Sequence, residues 1–215
     1  MNNQIAKKFD TLSLLKFTLP SMIMMLFMAL YQMVDAVFVS NFVSETALSA
    51  LNIVYPLISF IIAVAVMLAT GGSAVIAKKM GEGEHALARQ LFSMVVLIGV
   101  LFGIAMTLVG IFFTRPLIHL MGSTPALDPY CYDYLYTLML FSPFAVLQLL
   151  FQTFFITAGK PHLGLVVTVL AGIANIFFDF LFIVVIPLGV KGAAYGTAIG
   201  YCIPAIFGLI FFSLD

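Results

Sequence analysis

The stretch that decides the fold reads LGLVVTVLAGIANIFFDFLFIVVIP and runs from Leu163 to Pro187. It is long enough to cross a bilayer, because about 20 apolar residues in a helix span about 30 Å. One face of this helix, followed at helical spacing, collects Thr168, Gly172, Asn175 and Asp179. A carboxylate inside a membrane helix costs at least about 2.5 kcal/mol. We therefore expect another part of the chain to compensate for Asp179.

The composition is that of an integral membrane protein. Of 215 residues, 63% are hydrophobic and only 8% are charged, whereas soluble proteins are about 25% charged. Acidic and basic residues balance at nine each, so nothing favours binding to nucleic acid. Cys131 and Cys202 lie far apart and outside any CxxC pattern, which argues against a disulfide or a metal site. No catalytic motif such as HExxH or GxSxG occurs, and we predict neither an enzyme nor a bound cofactor.

Six long apolar segments predict an all-α, polytopic membrane protein. We predict a cytoplasmic segment over residues 1–13 and a lobe of six transmembrane helices over residues 14–212. The predicted helices cover about residues 14–39, 46–77, 90–113, 132–157, 163–186 and 192–212. In this topology seven of the nine lysines and arginines fall on the side of the N-terminus, which the positive-inside rule makes the cytoplasm. We therefore expect a multi-pass protein of the plasma membrane with both termini in the cytoplasm.

Asp35 and Asp179 are the only acids deep inside the predicted spans. Each lies 16 residues after the start of its apolar run, at Leu19 and at Leu163, which places both about 24 Å from the inner end of a helix. Two carboxylates at one depth predict a shared site, and two that meet cannot both ionise without a large penalty. One of them would then keep a proton, or a cation would settle between them. Oxygen ligands suit either H⁺ or Na⁺.

Other readings of these acids stay open. Each could be neutralised by a separate hydroxyl partner and have no functional role. Aspartyl intramembrane proteases also use two aspartates, but Asp179 stands in Phe-Phe-Asp-Phe and lacks the Gly-x-Gly-Asp pattern of those enzymes.

Further residues inside the predicted spans have both packing and functional interpretations. Pro20 permits a bend in the first helix, or it simply lies near the start of that helix. The glycines of the sixth helix, which are Gly192, Gly196 and Gly200, predict close helix packing. Gln148 and Gln152 of the fourth helix would make interhelical hydrogen bonds or line a cavity.

Several runs of the chain resemble the N-terminal half of multidrug and toxic compound extrusion (MATE) transporters. In the first two helices they are Leu19-Pro20, Asp35, Phe38-Val39, Ala47-Leu48-Ser49-Ala50 and Pro56. The longest and most specific begins at Ala158-Gly159-Lys160-Pro161, continues through Asn175-Ile-Phe-Phe-Asp179 and ends at Gly189-Val-Lys-Gly-Ala-Ala194. Together these runs cover about residues 14–212. Ser40 departs from the family pattern, because many members have glycine there.

The resemblance implies a cation-coupled exporter. By position, Asp35, Asn175 and Asp179 would bind the coupling ion, H⁺ or Na⁺, with Tyr31 and Thr197 as neighbours. Pro20 would be the point where the first helix bends as Asp35 gains or loses a proton. Family members export small cationic compounds by alternating access of two six-helix lobes. We therefore expect a missing C-terminal lobe, or a second copy of the chain, as the partner.

Two other functions remain open within this reading. One is a lipid-linked or polysaccharide flippase of the same superfamily, which would need cationic residues in its cavity for a phosphate group. The other is a membrane interaction subunit that does not transport.

Overall fold

The computed structural model describes residues 11–214, and this part of the chain is helical without any strand. Its elements are α1 (Thr11–Phe42), α2 (Glu45–Gly81), α3 (His85–Leu120), α4 (Asp128–Leu140), α5 (Ser142–Thr157), α6 (Pro161–Asp179), a π-helix (Phe180–Val185) and α7 (Val190–Leu214). The predicted all-α fold is confirmed. Of the N-terminal segment predicted over residues 1–13, residues 1–10 lie outside the described part, and the other three belong to α1.

The helices have the length and apolarity that membrane spans require. Within residues 11–214, five spans meet this criterion, and α4 with α5 adds a sixth if the two count as one bent span. The fifth span joins α6 to the π-helix and runs from Pro161 to Val185. The protein is therefore a multi-pass membrane protein, as its composition predicts.

The turns between helices follow from local side-chain and backbone chemistry. The hydroxyl of Ser44 caps α2 by accepting a hydrogen bond from the amide of Ala47 at 3.0 Å, which satisfies one of the free donors of a helix start. Gly159, between α5 and α6, has a φ of 73°, a left-handed conformation that glycine adopts without strain. This turn makes α5 and α6 sequential neighbours that contact each other.

The fourth predicted helix is wrong in one respect. Instead of one helix over residues 132–157, the chain forms α4 and α5, which meet at Phe141 with a bend of 57°. Pro143 stands in the first turn of α5, and because it has no N–H, the carbonyl four residues before it loses its helical partner. The third helix also differs, since α3 continues through Pro116 to Leu120, where we predicted an outer connection.

The packing divides into a large apolar core and a smaller polar seam. The core joins α2, α3, α4, α5 and α7, and its largest fully buried side chains include Phe151, Phe154 and Phe155. Beside it, α6 packs most extensively against α7 and α1. Because α1 has few contacts with the other helices, α6 links α1 to the rest of the lobe.

Candidate functional site

The side chains of Asp35 and Asp179 lie close enough together for their carboxyl groups to interact directly. Asp35 projects from α1, and Asp179 is the last residue of α6, the helix that packs along α1. Asp179 is completely buried, with 0% of its surface exposed, and Oδ1 of Asp35 is buried as well. The two acids that the sequence places at one depth therefore form one pair in the structure.

Buried oxygen atoms near this pair lack hydrogen-bond partners. Within the described part of the chain, this is true of Asp35 Oδ1, Asn175 Oδ1, both carboxylate oxygens of Asp179, and Thr197 Oγ1, and it is also true of Gln148 Oε1 beside Tyr31 and of Asp128 Oδ1 at the start of α4. A buried polar atom without a partner costs about 1–3 kcal/mol, and a charged one costs more. All of these atoms are oxygens, which are the ligands that hard cations take. Their chemistry fits a shared proton or a small cation.

Two glycines of α7 make room for the polar side chains of Asn175 and Asp179 on α6. A Cβ atom at Gly196 would overlap Oδ1 of Asp179, and one at Gly200 would lie 3.4 Å from Cβ of Asn175. Small residues allow two membrane helices to approach this closely. The predicted packing role of these glycines therefore extends to the site, because Gly196 borders the carboxylate of Asp179 itself.

The polar face of α6 is buried along its whole length. Thr168 is 1% exposed and Asn175 is 2% exposed, and Gly172 and Asp179 are buried with them. Further from the pair, the amide Nε2 of Gln152 donates to Oγ1 of Thr168 at 3.2 Å. This contact is one of the interhelical hydrogen bonds that the sequence favours for Gln152.

The helix changes type directly after Asp179. Residues Phe180–Val185 form a π-helix, a rare form with a wider turn that occurs mostly at functional sites. Nothing in the apolar run IFFDFLFIVV distinguishes a π-helix from an α-helix, since both bury the same residue types. The sequence therefore could not predict it.

Three tyrosines surround the acid pair, and the sequence predicts only one of them. Tyr31, the predicted neighbour, lies beside Gln148 and one helical turn from Asp35. Tyr134 of α4 lies near both acids and near Thr197 and Tyr201. The spacing of Tyr201, four residues after Thr197, was a usable signal for it. Tyr134 had no such signal, because its direction depends on the bend between α4 and α5.

Pro20 lies apart from this cluster. It is buried inside α1, and the helix continues on both sides of it. Fifteen residues separate it from Asp35, which is about 22 Å along a helix. Any influence of Pro20 on the pair must therefore pass along α1.

Other metal chemistry has no matching cluster in the described residues. No three His, Cys, Asp or Glu side chains between residues 11 and 214 come together in a way that could hold a metal ion. Cys131 and Cys202 are both free cysteines.

Comparison with known proteins identifies relatives of the whole described region. The family model "MatE" matches residues 20–181. The multidrug export protein MepA of Staphylococcus saprophyticus is 25% identical over 199 residues, which is 93% of this chain and 44% of that protein. MepA of Staphylococcus aureus is 24% identical over 200 residues, again 93% of this chain and 44% of the relative. The chain thus spans about half the length of the curated relatives it matches.

Solved structures give the same result. The MATE multidrug transporter DinF-BH superposes with a TM-score of 0.87 at 27% identity, over 92% of this chain and 44% of that one. A MATE protein in a bent conformation superposes with a TM-score of 0.83 at 24% identity, and this likeness concerns the fold. The names of these relatives describe transporters and export proteins, which agrees with the prediction that the chain is not an enzyme.

Proposed function

Because the chain belongs to the MATE family of multidrug transporters, we propose that it is the N-terminal lobe of an exporter driven by entry of H⁺ or Na⁺. In this proposal Asp35, Asn175 and Asp179 bind the coupling ion, and Tyr31 and Thr197 complete its surroundings. The exported compounds are small organic cations. The observation that carries the proposal is the buried Asp35–Asp179 pair with its cluster of unpartnered oxygens.

The charge of this cluster supports a coupling role. When two carboxyl groups share a low-dielectric site, ionisation of one opposes ionisation of the other. Once negative charge forms there, the site attracts a cation. Binding one H⁺ or Na⁺ therefore lowers the energy of the lobe state that encloses the pair. Release of the ion reverses this preference, so the pair can bias a lobe between two conformations.

The distribution of positive charge supports cationic substrates. The described lysines and arginines lie near helix ends: Lys78, Lys79, Arg89, Arg115, Lys160 and Lys191. Within the described part, the middle of the membrane thus offers acids and neutral polar groups but no basic side chain. This arrangement suits an organic cation better than the phosphate group of a lipid-linked sugar.

We further propose that Pro20 is the bending point of α1 and that both termini lie in the cytoplasm. A second lobe, or a second copy of this chain, would face the lobe and complete alternating access. Much of α1 is available for such a contact, because large apolar side chains such as Met25, Leu26 and Met33 are exposed on it. The positive-inside distribution of basic residues supports the orientation.

Efflux of ethidium from membrane vesicles tests the proposal, with the chain present together with its second lobe. Asp35→Asn and Asp179→Asn should each reduce efflux at least about tenfold, since a charge that exists to bind the ion is removed. The assay is run under a proton gradient and, separately, under a sodium gradient, and the gradient that drives efflux identifies the ion. Asp128→Asn is the matched control, because Asp128 lies at the start of α4 and pairs with His119 at 3.5 Å.

Full efflux in both variants at normal membrane levels would show that the pair is structural. Efflux lost to the same degree in the Asp128→Asn control would mean that the loss reflects general damage to the fold. No efflux in the parent protein under either gradient would point to a non-transporting subunit.

A further inference from the structure

The bend between α4 and α5 is held by hydroxyl groups at the point where the helix is interrupted. Pro143 has no N–H, so the carbonyl of Met139 cannot receive its usual helical hydrogen bond. The hydroxyl of Thr107, in the neighbouring helix α3, donates to this same carbonyl at 2.9 Å. Thr107 therefore satisfies the acceptor that Pro143 leaves free.

A second hydroxyl ties the other side of the bend to α3. The hydroxyl of Ser142, the first residue of α5, donates to the carbonyl of Gly103 at 2.8 Å. The Ser142 and Thr107 hydroxyl oxygens are only 3.2 Å apart, so the two bonds lie next to each other at the bend. Free backbone acceptors in the membrane are expensive, which makes this pair of bonds a strong reason for the bend to persist.

Glycines of α3 bring that helix against the bend. A Cβ atom at Gly103 would lie 2.5 Å from Cα of Pro143, and one at Gly110 would overlap the side chain of Met139. Neither glycine faces the acid pair. The surface of α3 is thus shaped to receive the interrupted span, and the hydroxyl of Thr107 lies between these two glycines in sequence.

The bend also decides which residues reach the acid pair. Tyr134 lies on α4 near Asp35, Asp179 and Thr197, and Gln148 lies on α5 beside Tyr31. The two residues stand on opposite sides of the interruption. If the span straightened, α4 and α5 could not both keep these contacts, because their directions differ by 57°.

We propose that Thr107 and Ser142 form a latch that holds the fourth span in its bent form and so positions Tyr134 near the acid pair and Gln148 beside Tyr31. Both are positioning residues, since neither contacts the acids. The bent geometry stands on the structure alone, and the effect on ion binding rests on the proposed function.

A distance measurement on the 215-residue chain in lipid nanodiscs tests the latch directly. Spin labels are placed on Ala126→Cys, in the turn just before α4, and on Ile156→Cys, near the end of α5, in a background of Cys131→Ala and Cys202→Ala. With arms of 13 and 16 residues meeting at 57°, full straightening would lengthen the end-to-end distance by about 5 Å. Thr107→Val keeps the side-chain volume but removes the donor, and it should shift or broaden the distance distribution by several Å.

The controls separate the latch from general effects of losing a hydroxyl. Thr114→Val is the matched control, because Thr114 lies on the same helix and its hydroxyl bonds only to Gly110 within α3. It should leave the distances unchanged, and Thr107→Ser should restore them. Ser142→Ala gives a second test that is independent of how well Thr107→Val folds. Unchanged distances in both Thr107→Val and Ser142→Ala would overturn the latch.

The link to ion binding is tested in the two-lobe vesicles described above. Thr107→Val should raise the cation concentration for half-maximal efflux at least threefold, while the maximal rate stays within twofold. An unchanged cation dependence would overturn the positioning role even if the distance shifts. Failure of the Asp35→Asn test would instead remove the coupling proposal, and the spin-label distances would still decide the latch.

Discussion

The two halves of α7 pack against the lobe in different ways. The first half faces α6 with glycines and meets buried acids, as Gly196 does at Asp179. The second half faces α5 with aromatic rings, and Phe212 stacks on Phe151 with ring centroids 5.7 Å apart. The aromatic half has no unpartnered acid and is built for dense packing, whereas the glycine half leaves oxygens without donors. One helix thus combines a densely packed half with a half that borders the candidate site.

The largest effect on efflux and stability is expected when one methyl group is added to either half of α7. Gly196→Ala would push a Cβ atom into Asp179, and Gly208→Ala would push one into the ring of Phe151. Overpacking of this kind costs about 1–3 kcal/mol of stability, which is about a fivefold to hundredfold change in the folding equilibrium constant. We expect both variants to unfold at a lower temperature. Gly196→Ala should in addition weaken efflux by about tenfold, because its methyl group enters the acid pair, whereas Gly208→Ala should leave efflux nearly unchanged.

Efflux from vesicles and thermal unfolding in detergent, measured on both variants, check this prediction. Gly71→Ala is the control, because a Cβ atom there would meet nothing within 4 Å. Equal losses of efflux in Gly196→Ala and Gly208→Ala would show that the two halves do not differ in role.

A smaller effect is expected when one carboxyl group of the acid pair is replaced by an amide. Asp35→Asn supplies an N–H donor to Asp179 and removes one buried charge, so the folded protein should become more stable even as efflux is lost. A gain of about 1 kcal/mol would raise the melting temperature by about 2–4 °C in a protein of this size. Scanning calorimetry of the purified chain measures it, and a fall of the same size would mean that the pair stabilises the fold.

The smallest effect is expected outside both halves, at the turn between α2 and α3. There Lys79 binds Glu82 at 2.8 Å and Glu84 at 3.2 Å, and exposed ion pairs of this kind contribute about 0–1 kcal/mol. Helix pairs of this kind are usually worth about 0.3–0.5 kcal/mol, so Glu82→Gln should change the melting temperature by no more than about 2 °C and leave efflux intact. A larger fall in melting temperature would show that this ion pair stabilises the fold more than an exposed pair usually does.

Much of the fold and the centre of the site could be predicted from the sequence. Helix length and apolar composition are local properties, so the spans follow directly from runs such as the one after Leu163. The spacing of Asn175 and Asp179, and the equal depth of Asp35 and Asp179, are properties of single helices. Both can therefore be read from the sequence alone. The structure agrees with both, because it buries the polar face of α6 and sets the two acids side by side.

The rest could not be predicted, because it depends on contacts between helices. Pro56 and Pro116 lie inside unbroken helices, whereas Pro143 stands where a helix is interrupted. Their sequence contexts do not differ enough to tell them apart. Pro143 differs from the other two prolines because Thr107, on another helix, donates a hydrogen bond to the carbonyl that Pro143 leaves free. The direction in which Tyr134 points depends in turn on the bend between α4 and α5.

The ring of tyrosines around the acid pair also gives the protein a natural optical signal. The chain has no tryptophan and eight tyrosines, so its ultraviolet emission comes from phenol groups alone. Tyr31, Tyr134 and Tyr201 lie near Asp35, and an ionised carboxylate quenches a nearby phenol by accepting its proton in the excited state. Binding of a cation between the carboxylates would reduce this quenching. The unmodified chain should therefore report occupation of its own site as a rise in fluorescence near 300 nm, on the order of the share that three of eight tyrosines contribute.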